Sequence, residues 1–321
     1  MNFTNVTIFG AGTMGHSIAL LFATGGHDVI LSDTREAALD EAKRRIAKTA
    51  QDIHAYAGGE SPESILARIT YTMDGFASCP RADLVIEVIS ENTTIKRQFY
   101  ETLAGHITPT TLVTSNTSVL NIFEHAPEKL HRQLMMAHYF IPPHLTPLVE
   151  VVRHPSTDDA VVEAFLACLR DMGMIPIVLK KFARGFIINR IQRAFNQEIF
   201  QLIHDGVADA QDIDAATSIC FGRRLAVIPY LSRIDSSGLD LVLNNYRQAP
   251  MGLVTDETPP ALLEEHVSRN ELGIKTGKGF YVYGEENEEL LRRRDARLHA
   301  VRKFVEQLDK DIPYVLTPAR D

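Results

Sequence analysis

A chain of 321 residues exceeds the ~250 to 300 residues at which a single hydrophobic core stops growing, so two domains are expected. With 45% hydrophobic and 23% charged residues, 15 Pro and no low-complexity tract, it has the profile of an ordered globular protein and not of a disordered scaffold. A net charge of −8 argues against a surface that neutralises phosphates, and no apolar run approaches the ~20 residues of a membrane span, so neither a nucleic-acid nor a membrane partner is expected.

The first third alternates strand and helix signals: a strand at 6–10, a helix at 14–23, a strand at 28–32, then a long charged helix at 36–54. That rhythm predicts a parallel sheet. Further strands are expected at 84–88, 112–115, 134–139, 148–152 and 177–179, and the sheet domain should end near Lys181. After a short link at 180–185 the pattern becomes helical only. From 186 to 204, Ile187, Ile188, Ile191, Phe195, Ile199 and Leu202 recur at helical spacing, enough to bury one face against another helix. A last charged helix is expected at 287–308 as an appended surface element. The basic runs Lys43-Arg44-Arg45 and Arg292-Arg293-Arg294 have acidic neighbours and read as solvated helix faces.

Gly10-Ala11-Gly12-Thr13-Met14-Gly15 follows a strand and opens a helix, the context in which GxGxxG carries chemistry. The first glycine permits the tight turn, the second lets backbone approach a pyrophosphate, the third lets helix pack on strand, and the helix N-terminus offers N–H groups to the anion. Asp33 ends the second strand about 20 residues on, where an acid holds a ribose 2′-hydroxyl and opposes a 2′-phosphate. The expected cofactor is therefore NAD. Arg35 is the neighbour that would favour NADP, and a glycine turn without a ligand is the competing reading. The expected fold class is a doubly wound, mainly parallel α/β Rossmann domain over 1–183, followed by an all-α substrate and dimerisation domain over 184–321.

Oxidising an alcohol needs a base for the hydroxyl proton and donors for the oxygen. His138 ends an apolar strand, and Glu150 follows the turn Ile141-Pro142-Pro143-His144-Leu145-Thr146-Pro147, an arrangement that can set an imidazole against a carboxylate. With 12 histidines present, a structural role for His138 is equally open on the residues alone. Four groups of residues add to this picture: Ser115-Asn116-Thr117-Ser118, His138-Tyr139-Phe140 through Pro147-Leu148-Val149-Glu150, Gly185-Phe186-Ile187-Ile188-Asn189-Arg190, and Lys275-Thr276-Gly277-Lys278-Gly279-Phe280-Tyr281. Together, in order from about 6 to 283, the chain resembles the L-3-hydroxyacyl-CoA dehydrogenase family.

The resemblance implies that His138 is the general base and Glu150 its partner, and that Ser118 and Asn189 donate to the substrate's oxygen. It implies that Glu91, Lys96, Ser118 and Lys275 contact the cofactor. It further implies NAD-dependent oxidation of a 3-hydroxyacyl-CoA such as 3-hydroxybutyryl-CoA to a ketone, a place in fatty acid metabolism, and a homodimer. On the residues alone, Ser118 reads as a turn or cap hydroxyl, Asn189 as a polar residue in a helix's first turn, and Glu91 with Lys96 as a helix-start pair.

Several departures concern the small-molecule substrate. Ile141 stands where the family has Asn, and Arg184 where it has Pro. The family's CoA-contacting Ser and Lys fall by spacing near Thr49 and Tyr56, which removes a cation near a phosphate-bearing ligand. Gly222-Arg223-Arg224-Leu225-Ala226 is similar instead to branches acting on small free hydroxy acids, the gulonate, carnitine and hydroxypyridine carboxylate dehydrogenases. Arg224, with Arg223, is then a candidate carboxylate clamp, a surface arginine being the alternative.

Rival classes are a metal enzyme and a non-catalytic, crystallin-like cofactor binder. His125, His131, His138 and His144 lack HExxH spacing and a Cys partner, so no metal is expected. Asp205-Gly206-Val207-Ala208-Asp209 lacks the alternating ligands of a calcium loop and reads as a helix cap at Asp209. Retention of Ser118, His138, Glu150 and Asn189 together counts against a non-catalytic relative. Cys79, Cys168 and Cys220 form no CxxC pair, which fits a reducing compartment, and with no basic leader segment the expected location is the cytoplasm.

Overall fold

Apolar residues run almost unbroken along the central strands of the first of two units, Met1–Arg190 and Ile191–Asp321, so these strands bury both faces. The computed structural model describes residues 3–248, 251–254, 258–284 and 287–313. In the first unit β1 (Asn5–Phe9), β2 (Asp28–Ser32), β3 (Ile69–Thr72), β4 (Leu84–Glu87), β5 (Leu112–Ser115), β6 (Leu134–Tyr139), β7 (Leu148–Arg153) and β8 (Ile175–Val178) form one sheet in the order β3-β2-β1-β4-β5-β6-β7-β8. All neighbours are parallel except β6 and β7. The strand order reverses between β1 and β4, which opens a crevice at the carboxyl ends of the strands, where doubly wound folds bind ligands.

Five helices cover this sheet: α1 (Gly15–Thr24), α2 (Glu36–Ala57), α3 (Pro62–Leu66), α4 (Thr93–Leu103) and α5 (Asp159–Asp171). One core joins Val6, Ile8, Ile86, Ala137 and Val151 to Ile18 and Phe22 of α1, Ile46 of α2 and Phe165 of α5. A second core joins Phe9, Val85, Val113, Met136 and Val152 to Phe99, Tyr100 and Leu103 of α4. Asn92 starts α4 by accepting from the N–H groups of Thr94 and Ile95, and Asp158 starts α5 by accepting from Ala160.

α6 (Ile188–His204) leads into the second unit, whose described residues hold α7 (Ala210–Thr217), α8 (Arg223–Leu225), α9 (Tyr230–Ser237), α10 (Leu239–Gln248), α11 (Ala261–Ser268) and α12 (Asn287–Asp311). Its only described β pairing is two isolated bridges, Gly273–Lys278 and Lys278–Val282. An α/β Rossmann domain followed by a helical domain is thus the architecture.

Three details differ from the expectations. α3 and the edge strand β3 were not legible, because four residues of mixed burial show no periodicity. α6 begins at Ile188, since Phe186 adopts φ 53 and lies outside the helix. Finally, α6 buries no residue fully: Ile191 is 62% exposed and Phe195 is exposed, so the N-terminal part of its apolar face is not covered by the described residues, whereas Ile199 and Leu202 are half-buried. The basic runs pair with their neighbours as expected, Arg44 and Arg45 with Glu41, Arg292 and Arg293 with Glu289.

Candidate active site

The glycine loop lies at the carboxyl end of β1. Gly10 has φ 104, and a side chain there would strike the Val88 carbonyl at 2.5 Å; a Cβ on Gly15 would lie 1.7 Å from the Gly10 carbonyl oxygen. Both glycines are demanded by packing. Gly12 is different: nothing lies within 4 Å of its would-be Cβ, so the space above it is open for a ligand. Asp33 accepts from the N–H of Ala11 at 2.9 Å through one oxygen and from the N–H of Arg35 at 3.0 Å through the other, tying the second strand to the loop. The adjoining cleft, of about 290 Å³, is lined by Gly12, Thr13, His16, Arg35, Glu41 and Arg45 among others. Open loop, helix start and acid fit a dinucleotide with a free ribose 2′-hydroxyl.

His16 carried no signal in the sequence. Its Nδ1 donates to the Gly12 carbonyl at 2.8 Å, leaving Nε2 to accept from the Ser17 hydroxyl at 3.1 Å. Burial lowers its pKa below the usual imidazole value, against the pull of that carbonyl.

His138 and Glu150 stand directly opposite one another in the antiparallel β6–β7 pair, so both side chains project from one face. His138 Nδ1 donates to Glu150 Oε2 at 3.0 Å, which leaves Nε2 of the neutral ring as the proton acceptor. Phe186, 1% exposed, stacks on the ring at 4.9 Å, and Phe140 packs at 4.6 Å. The other Glu150 oxygen accepts from the N–H groups of Ile187 at 2.9 Å and Ile188 at 3.0 Å. Glu150 therefore caps the start of α6 while orienting His138. The turn that permits this uses Gly185 at φ 81 and Phe186 at φ 53.

Each residue of Ser115-Asn116-Thr117-Ser118 is engaged. Ser115 Oγ donates to Glu87 at 2.6 Å, and Asn116 Oδ1 accepts from the N–H of Tyr139, beside His138. Thr117 Oγ1 donates to Glu91 at 2.9 Å, as do the N–H of Ser118 at 2.5 Å and its Oγ at 3.1 Å. Burial alone would push the Glu91 carboxyl up; the Ser118 N–H, the Lys96 charge and the two hydroxyls outweigh it and hold it below the usual carboxylate range. Lys96 lies 3.5 Å from Glu91 but 2.6 Å from Glu87, so its main partner is a residue the sequence did not single out. Glu87 carried no signal, because a lone acid at a strand end reads as a solvated terminus.

The remaining predicted residues lie apart from these hydrogen bonds. Asn189 is half-buried in the first turn of α6, and Thr49 and Tyr56 are half-buried on α2. In the second unit Lys275 is exposed on the turn Ile274–Thr276, and Arg224 is exposed with its guanidinium 3.6 Å from Cys220 Sγ. Asp209 does precede α7, yet its side chain makes no capping bond. His131 is held by the carbonyls of Phe123 and Ala126.

The carboxyl ends of the parallel strands β1, β4, β5 and β6 line one edge of the sheet, so the loop, Glu87, Ser115 and His138 share that edge. A histidine–carboxylate pair on the same sheet edge as an open glycine loop is the arrangement of the class of nicotinamide-dependent dehydrogenases. Comparison with known proteins agrees. Residues 5–182 match the family described as 3-hydroxyacyl-CoA dehydrogenase, NAD binding domain, and residues 185–283 its C-terminal domain. Over 306 residues the chain is 33% identical to 5-formyl-3-hydroxy-2-methylpyridine 4-carboxylate 5-dehydrogenase of Mesorhizobium japonicum, covering 94% of this chain and 98% of the relative. It is 33% identical to a probable 3-hydroxybutyryl-CoA dehydrogenase of Deinococcus radiodurans, covering 86% and 99%. A crystal structure of 5-formyl-3-hydroxy-2-methylpyridine 4-carboxylic acid 5-dehydrogenase, described as an NAD+ dependent dismutase, superposes with TM-score 0.84 at 30% identity, covering 95% and 99%. The chain belongs to the 3-hydroxyacyl-CoA dehydrogenase family and is an NAD-dependent oxidoreductase of the alcohol dehydrogenase type. No helix among its described residues is long and apolar enough to cross a membrane.

Proposed function

We propose that this chain oxidises a secondary 3-hydroxy group to a ketone, on a 3-hydroxyacyl-CoA of the 3-hydroxybutyryl-CoA class. The observation that carries the reading is the His138–Glu150 pair at 3.0 Å on the dinucleotide edge of the sheet. NAD, when bound, supplies the hydride acceptor. His138 Nε2 takes the hydroxyl proton, and Glu150 stabilises the imidazolium that forms. Ser118 and Asn189 donate to the oxygen, Glu91 holds the cofactor's nicotinamide end, with Lys96, buried beside it, acting through Glu91, and Lys275 is a further candidate contact to the cofactor. A protein that only binds NAD would not need the imidazole braced in this way.

A second reading, oxidation of a small free acid, is favoured by one observation. The similarity to the pyridine carboxylate enzyme extends over 306 residues, 94% of the chain, beyond the family match that ends at 283. Under this reading Arg224, with Arg223, clamps the carboxylate, and Thr49 and Tyr56 need not serve CoA. Assay of 3-hydroxybutyryl-CoA beside a panel of free 3-hydroxy acids decides: turnover of the thioester is expected, and turnover confined to free acids overturns the CoA reading in favour of the second.

The glycine contrast gives a test of the cofactor loop. Gly12→Ala, with open space at its Cβ, is expected to shift stability by no more than about 1 kcal/mol while weakening NAD binding at least about tenfold, because the methyl enters the pyrophosphate's space. Gly15→Ala, aimed at backbone 1.7 Å away, is expected to lower Tm markedly. Unimpaired NAD affinity in Gly12→Ala sinks the loop assignment.

The exposed Ile187, Ile191 and Phe195 around α6 support a homodimer, the three cysteines without disulfides support the cytoplasm, and the 3-hydroxyacyl substrate would place the enzyme in fatty acid metabolism.

A further inference from the structure

Glu87 is the one wholly buried carboxylate besides Glu150 on the face of the sheet that carries the site, at 0% exposure, and the proton transfer proposed above does not use it. It ends β4 directly opposite Ser115 of β5, under α4. Its Oε1 accepts from Lys96 Nζ at 2.6 Å and from the N–H of Ile89 at 2.9 Å; its Oε2 accepts from Tyr100 OH at 2.7 Å and Ser115 Oγ at 2.6 Å. Burial, then the Glu87 charge, pushes the Tyr100 phenol well above its ordinary range, so Tyr100 stays a donor.

Lys96, 1% exposed, sits between two acids, close to Glu87 and farther from Glu91. Glu91 in turn holds both the N–H and the hydroxyl of Ser118. A buried ion pair is weak support for stability, because desolvation offsets most of its attraction, so a carboxylate met by four donors is better explained by the geometry it imposes.

We propose that Glu87 is a positioning residue for the reaction: by holding Lys96 on the β4 side it leaves Glu91 on the Ser118 N–H, which fixes the Ser118 backbone and so places a hydroxyl that turns from Glu91 to the substrate's oxygen. The inference rests on the role proposed above for Ser118. Without the Glu87 charge, Lys96 has Glu91 as its remaining carboxylate and draws it away from Ser118.

The test is a double-mutant cycle. Ser118→Ala and Glu87→Gln are each expected to lower kcat by about ten- to a hundredfold, the loss that misplacement of a reacting group produces. If Glu87 acts through Ser118, adding Glu87→Gln to Ser118→Ala lowers kcat no more than about twofold further, because contacting groups are non-additive. A merely structural Glu87 would multiply the two losses and overturn the proposal, leaving the Ser118 role standing. Glu87→Asp, which keeps the charge but draws the carboxylate back from Lys96, covers the case in which Glu87→Gln does not fold. It is expected to lower kcat in the parent and not in Ser118→Ala, and an equal loss in both backgrounds overturns the proposal. Normal kcat in Ser118→Ala removes the Ser118 role and this inference with it.

Discussion

Replacing His138 by glutamine is expected to lower kcat by about 10²- to 10⁴-fold while NAD binding is retained, the loss expected when a positioned general base is removed. The ring packs against Phe140 and Phe186, and its Nδ1 proton is committed to Glu150, so a glutamine amide in its place occupies similar space without a group able to take a proton near neutral pH. Steady-state kinetics beside an NAD titration separates chemistry from binding. A variant with near-normal kcat would remove His138 from its role.

Glu150→Gln is expected to have an effect of similar size for a different reason. The two carboxylate oxygens are separately committed, Oε2 to the His138 proton and Oε1 to the N–H groups of Ile187 and Ile188. Glutamine offers one carbonyl. If that carbonyl serves the helix start, its NH₂ faces Nδ1, moves the ring proton to Nε2 and blocks the base, a wrong-tautomer fault that lowers kcat by on the order of 10⁴-fold in a Ser-His-Asp enzyme. If it serves the ring, the NH₂ confronts two backbone donors and stability falls by about 1 to 3 kcal/mol. Kinetics and thermal melts together cover both rotamers, and a variant unchanged in kcat and Tm leaves the dyad unsupported.

Much of the framework was legible before any coordinates. β2, β5 and β6 run over the residues their apolar runs mark, and the glycine loop, Asp33, His138 and Glu150 stand where strand, turn and spacing put them. These are local signals, read from apolar runs and from turn chemistry within a few residues. β3 was not legible, being short and of mixed burial, and neither was the start of α6, where Phe186 breaks helical geometry and stacks on His138.

The order of residues by itself determined a parallel sheet and a dinucleotide turn, and left an imidazole facing an acid across a proline-rich connection as one of two open readings, because each depends on neighbours close along the chain. Only the tertiary structure decided that Glu150 also caps α6, 37 residues away, and that Ser115 and Tyr100 meet on Glu87. Buried polar groups must find partners wherever the fold brings them, and strand order and helix placement, which no local periodicity encodes, choose those partners.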